Sequence, residues 1–297
     1  MSQAVLLWGE VLWDRFPDGP KLGGAPSNVA WHLGQAGAWA QLVSRVGDDE
    51  WGHRALTQLA PLVDISLVQV DRERATGEVT ITLEDGEPRY HLVPGRAWEH
   101  LELTAAVRAA FADAGAFVYG TLAQRQAGGL AAWRRALSEL PAGCLRVCDP
   151  NLRPADLSPQ VLGEALSAAD VIKLNERELT LVGAALGTAD PLHVLLQKPR
   201  VVVVTRGAEG STIYAEGRVL QIPGVAARPG GDHVGCGDAY LAILVHGALS
   251  GWSLEDTGAA ASRWAAEVAS HRGATPLFDE ELVAALLEGD EASESDG

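Results

Sequence analysis

Residues 230–240 read GGDHVGCGDAY and open directly onto the apolar run AYLAILVHGAL. Gly235 and Gly237 flank Cys236, and a carboxylate follows at Asp238. Flexible backbone ahead of a helix lets several peptide N–H groups converge on one point, and such a point attracts anions. A carboxylate beside it would be repelled by a bound anion, unless its task is to take a proton from the group attacking that anion. The combination points to phosphoryl transfer. A glycine turn with Asp238 as a helix N-cap accounts for the same residues, so the rest of the chain has to decide.

In an open α/β sheet, ligands bind beyond the carboxyl ends of the strands. AVLLWG is followed by Glu10 and Asp14, then by KLGGAPSN with Gly23, Gly24 and Asn28. LRVCD leads to Pro150, Asn151 and Arg153, DVIKL to Asn175 and Glu178, and VVVVT to Gly207 and Gly210. Polar and glycine residues thus gather on one rim. Asn28 falls in a first helical turn, where it can face a ligand. Asn175 and Glu178, at i and i+3, share a helix face and fit either a surface cap or a contact to metal-bound water. TRGAEG, starting at Thr205, fits a β-turn or a backbone cradle for nucleotide phosphates. GxxxxGK[ST] is absent and GxGxxG is not completed, which disfavours a P-loop or a dinucleotide site. His233 and the other histidines read as structural or surface residues, and the tryptophans as core or lid packing.

The elements that must position these residues alternate. AVLLWG and AWAQLVSRVG read as strands, APSNVAWHLGQAG and WGHRALTQLAPL as helices, and this rhythm predicts a parallel sheet with helices on its faces. From 105 onward it returns, ending in helices near 238–250, 256–272 and 279–288. Between them SLVQV, GEVTITLE and PRYHLV are short alternating strands, which need a second surface and so predict a small separate sheet.

Composition narrows the class. Of 297 residues 47% are hydrophobic, and 39 acidic against 23 basic residues give a net charge of −16. Such a surface disfavours nucleic acid and anionic membrane as partners. No apolar stretch approaches the ~18 residues that span a bilayer, and the first residues lack a signal-peptide pattern, so a cytoplasmic location is expected. Cys144 and Cys148 read as core thiols rather than a disulfide pair.

Taken in order, GEVLWD, LGGAPSNVAWHLGQAG, DPNLR, DVIKLNERE, VVVVTRGAEG and GDHVGCGDAY resemble the ribokinase-like (PfkB) carbohydrate kinases over about residues 4–275. GGAPSNVA with DPNLR is most similar to the fructokinase branch. The resemblance implies a three-layer α/β/α sandwich with a small β-sheet lid. One kinase domain would span 1–289, with lid segments about 11–20 and 66–98, before a disordered acidic tail at 290–297. It also implies roles: Asp238 as catalytic base, and Gly235, Cys236 and Gly237 as the anion hole. Asp14, Gly23, Gly24, Asn28 and Arg153 would bind the sugar. Asn175, Glu178, Thr205, Gly207 and Gly210 would lie on the ATP side, with Glu178 reaching Mg²⁺ through water. The sequence departs from the family's Asp-Thr-Thr-Gly-Ala-Gly-Asp pattern at His233, Val234 and Cys236, which leaves a K⁺ site near Asp232 in question. The implied activity is phosphorylation of a primary hydroxyl, with fructose as first choice. Ribokinase, 2-keto-3-deoxygluconate kinase or nucleoside kinase activity, or a sugar- or nucleotide-binding regulator without turnover, are the alternatives. A homodimer through the lid is a further expectation.

Overall fold

A computed structural model describes residues 3–16, 19–84, 87–152, 158–198 and 200–288. Aliphatic and β-branched runs build an eight-stranded sheet. Its spatial order is Arg218–Ile222, Ser211–Ala215, Val201–Thr205, Val171–Asn175, Leu145–Cys148, Ala114–Tyr119, Ala4–Trp8 and Ala40–Val43. From Val201–Thr205 onward all neighbours are parallel, while Ser211–Ala215 and Arg218–Ile222 add an antiparallel edge. Alternation sorts each strand between two cores: Val5 and Leu7 pack on one face, Leu6 and Trp8 on the other. A strand buried on both sides reads as an unbroken apolar run for this reason.

Helices Ala25–Gln35, Cys236–Ser250 and Leu254–Ala269 cover one face, and Ala127–Glu139, Pro159–Ala168 and Glu176–Leu186 the other. Cys236–Ser250 is wedged between its two neighbours. Every residue from Ala239 to Val245 is at most 5% exposed. A helix apolar on all sides can only be stable in such a place, and each large side chain buried there contributes about 1.5–3 kcal/mol. Its first turn is therefore held rigidly at the carboxyl rim of the sheet. From Ala4–Trp8 the chain adds Ala40–Val43 on one side and later Ala114–Tyr119 on the other. The crevice between strands 4–8 and 114–119 is thus the switch point where ligands are expected.

A second sheet has the order Gly19–Gly23, Leu12–Phe16, Gly77–Glu84, Glu87–Leu92. SLVQV does not join it. Gln69–Asp71 instead pairs in parallel with Arg45–Gly47. The buried Asp71 explains this choice: it accepts from the amides of Glu73 and Arg74 at 2.9 and 3.0 Å and ion-pairs with Arg45 at 3.0 Å. An alternating pattern shows that a strand has two faces, not which edge it will pair with. AWAQLVSRVG likewise divides, into Ala40–Val43 and Arg45–Gly47. Residues 290–297 and Arg153 lie outside the described residues.

Candidate active site

Gly235 takes φ 79° and caps Cys236–Ser250 without a side-chain hydrogen bond. Asp238 is therefore the third helical residue and not the N-cap. Its carboxylate is 8% exposed, and Asn28 Nδ2 donates to its Oδ2 at 2.8 Å. Asn28 comes from the first turn of Ala25–Gln35, after Gly24, whose φ of 106° suits only glycine. Two helix starts, 210 positions apart, thus meet over the sheet. Asn28 Oδ1 is buried with no partner among the described residues, which leaves one acceptor unused. Gly23 ends its strand against the Asp14 carboxylate, where a Cβ would lie 2.5 Å from Oδ2.

Burial pushes the Asp238 carboxyl up to about 7; the Asn28 hydrogen bond opposes this, Asp149 adds to it and Lys173 lowers it. The two last-named residues are among those sequence reasoning missed. Lys173 Nζ donates to Asp149 Oδ2 at 2.7 Å, and both are buried. The signal was present in DVIKL, because a lysine inside a strand buried on both faces demands a partner. Asn175 and Glu178 form a reciprocal capping box, with Glu178 N on Asn175 Oδ1 and Asn175 N on Glu178 Oε2, both at 2.9 Å. Glu178 Oε1 also accepts from Leu152 N at 2.8 Å. Burial, then the Asp149 charge, raises the Glu178 carboxyl above its ordinary range.

Two cavities meet at the first turn of Cys236–Ser250. The larger, about 360 Å³, is bounded by Thr205, Gly207, Gly210, His233, Cys236 and Gly237, with Val225, Ala227, Ala265 and Ala269 as apolar walls. Its size and lining are those of a small-molecule site. Ser262 also lines it and buries a hydroxyl without a partner among the described residues, a feature invisible in sequence. The smaller is lined by Glu10, Gly120, Asp149, Asn151 and Asp238, at the switch point. Gly237 faces one cavity and Asp238 the other. Burial, followed by the charges of Asp232 and Asp238, pushes the Cys236 thiol up to about 11, so it stays protonated and unreactive near neutrality.

Asp232 is fully engaged by backbone: Oδ1 accepts from Val234 N and Oδ2 from Gly273 N, each at 3.0 Å. A loop closed in this way needs no ion to hold its shape. We expect 100 mM-scale K⁺ to change kcat less than about fivefold, roughly 1 kcal/mol in the barrier. The assay compares K⁺ with its omission from Na⁺-free buffer at matched ionic strength, and tenfold activation would refute it.

Among the described residues no group of three or more His, Cys, Asp or Glu could hold a metal by itself. The carboxylates of Asp149 and Glu178 fit Mg²⁺ in another way, as acceptors for the water shell of an ion brought in on nucleotide phosphates. No helix among the described residues is long and apolar enough to cross a membrane.

A mixed sheet between helical layers, with paired cavities at the start of one buried helix, defines an α/β protein of the ribokinase-like type. The profile of the pfkB family carbohydrate kinases matches residues 20–281, and the chain belongs to that family. It is 29% identical over 282 residues to an Escherichia coli fructokinase, covering 84% of this chain and 86% of the relative. A Klebsiella pneumoniae fructokinase is 30% identical over 264 residues, covering 83% and 85%. The solved structure of a Xylella fastidiosa fructokinase with bound ATP superposes with a TM-score of 0.87 at 21% identity, covering 97% of this chain and 99% of that one. The chain is a sugar kinase of the PfkB family with the ribokinase-like fold.

Proposed function

We propose that the chain is an ATP-dependent, cytoplasmic fructokinase. One observation carries the reading: consecutive residues, Gly237 and Asp238, face two different cavities that meet at one helix N-terminus. A donor held in the large cavity and an acceptor bound beside Asp238 would meet across that turn. Asp238 takes the proton from the primary hydroxyl as its oxygen attacks the terminal phosphorus and ADP leaves. A base titrating near neutrality is well matched to that task. The amides of residues 235–238 stabilise charge on the equatorial phosphoryl oxygens. Asn28 orients Asp238 through Nδ2 and offers Oδ1 to a sugar hydroxyl. Asp14, Gly23, Gly24 and Arg153 complete the sugar side in this proposal. Thr205, Gly207 and Gly210 hold the nucleotide, Ser262 gives its base a hydrogen bond, and Asn175 anchors Glu178. Glu178 and Asp149 would hold Mg²⁺ through water, and the ion would supply charge neutralisation on the phosphates. The second sheet acts as a lid that excludes water as competing acceptor.

Fructose as the acceptor is supported by the fructokinase relatives and by the GGAPSNVA loop. We expect fructose to give a higher kcat/KM than ribose, 2-keto-3-deoxygluconate or adenosine in an ATP-consumption assay across these substrates. A panel in which another acceptor wins tenfold or more would refute the substrate and leave the kinase reading standing. ATP consumption with no acceptor in the panel would sink both.

A further inference from the structure

The wall of the larger cavity is nearly without charge. Among the described residues that line it, His233 is the one side chain able to carry a positive charge; the others are glycine, alanine, valine, serine, threonine, cysteine and tyrosine. The guanidiniums nearest to the lining in sequence are committed elsewhere. Arg206 donates to Thr212 Oγ1 at 2.7 Å and to Gln221 Oε1 at 3.1 Å, and Arg228 pairs with Glu267. Lys173, which lies against Gly237, donates to Asp149 at 2.7 Å.

His233 is exposed, and among the described residues no hydrogen bond or ion pair engages its ring. Its backbone is nonetheless fixed. Asp232 N donates to His271 O at 2.8 Å, and the Asp232 carboxylate accepts from Val234 N and Gly273 N, each at 3.0 Å. Both neighbours of His233 are thereby clamped, and the residue stands at the cavity wall with its polar atoms unspent. The wall is also divided along its length. Val225, Ala227, Ala265 and Ala269 form an apolar side suited to a nucleobase, while His233 precedes Cys236 and Gly237 at the start of helix Cys236–Ser250. An anion drawn to that helix start would lie on the His233 side. An imidazole presents an N–H donor whether neutral or charged, so such a contact does not depend on its protonation. Position 233 is also where this sequence departs from the threonine of the family pattern.

We propose that the His233 ring donates a hydrogen bond to the phosphate chain of the nucleotide, giving this cavity a side-chain contact to the anion beside its backbone amides. The role deepens the nucleotide reading of the larger cavity and rests on it. The ring makes no covalent bond and moves no proton in transfer; Asp238 remains the group that takes the proton of the acceptor hydroxyl.

The test separates a phosphate contact from stacking of the ring on the base or ribose. ADP affinity is measured by calorimetry for the wild type, His233→Phe and His233→Lys. Both substitutions change an exposed side chain, so folding should be unaffected. His233→Phe keeps an aromatic face and removes both ring nitrogens. It should weaken ADP about tenfold, the low end for losing a hydrogen bond to a charged group. His233→Lys loses the ring but keeps N–H donors, and should bind ADP within about threefold of the wild type or more tightly. Undiminished affinity in His233→Phe, or a loss in His233→Lys as large as that in His233→Phe, overturns the proposal and leaves the nucleotide reading standing. Wild-type protein that does not bind ADP overturns that reading as well.

Discussion

Asp238→Asn is expected to lower kcat by about 10²–10⁴, the usual cost of losing a general base, while leaving sugar affinity nearly unchanged. The amide is close to isosteric, and Asn28 Nδ2 can donate to its oxygen as it does to Asp238 Oδ2. In the wild type the active form is the carboxylate, so kcat/KM should rise with pH to a plateau above about 7, the value to which burial has pushed this group. The same burial has a stability consequence with a definite sign. A carboxyl whose folded pKa is raised contributes stability at low pH that is lost as pH rises through the folded value. From an ordinary 3.8 to about 7, the charged group costs the native state on the order of 4 kcal/mol at pH 8. Asp238→Asn removes that charge. Urea unfolding should find the variant more stable than wild type at pH 8, with its advantage shrinking by about 3 kcal/mol at pH 5. Near-normal kcat would refute the base assignment, and a pH-independent stability difference would refute the buried charge.

A second large effect lies behind the site. His32, fully buried one turn after Asn28, accepts from Trp264 Nε1 on Nδ1 at 3.2 Å and reaches Ala274 O through Nε2 at 2.8 Å. Those partners place the single proton on Nε2 and leave the neutral ring fully satisfied. Ala274 in turn packs on Gly235, where a Cβ would fall 2.5 Å from the Ala274 Cβ. His32 thus ties the helix carrying Asn28 to the backing of the turn at Gly235. Burial lowers its pKa from 6.5 to about 4, against the opposing hydrogen bond to Ala274. The folded value is depressed, so the neutral ring's contribution is complete above pH 6.5 and is lost as pH falls toward 4. By pH 5 the loss is about 2 kcal/mol. His32→Gln should therefore be destabilised more at pH 7.5 than at pH 5, by about that difference, in urea unfolding. An equal penalty at both pH values would show that His32 titrates normally. The slopes of His32 and Asp238 oppose each other between pH 4 and 6.5, so only the variants expose them.

The parts of the site legible in the sequence are those whose physics is local. The proposed anion-binding turn and its proposed base lie within four residues, 235–238, and glycine spacing before an apolar run is enough to suggest them. The Asn175–Glu178 capping box is equally local, and i, i+3 spacing points to it. The two-faced burial of the sheet follows from runs such as VVVV. Burial of Cys144 and Cys148 as free thiols also agrees with reading them as core residues.

What only the tertiary structure decided depends on strand order. Lys173 and Asp149 meet because their strands are parallel neighbours in the sheet, with Val147 beside Val171. Asn28 meets Asp238 because two helices pack side by side on one face. The choice of Gln69–Asp71 to pair with Arg45–Gly47 rests on a buried ion pair between Asp71 and Arg45. Burial itself, which moves Asp238 to about 7 and His32 to about 4, is a property of the whole packed molecule. Sequence pattern determined which residues could do chemistry, since residue type and short-range spacing set local backbone geometry. Protonation states and partners were left to the fold, because desolvation and charge–charge interaction depend on distances that only long-range packing fixes.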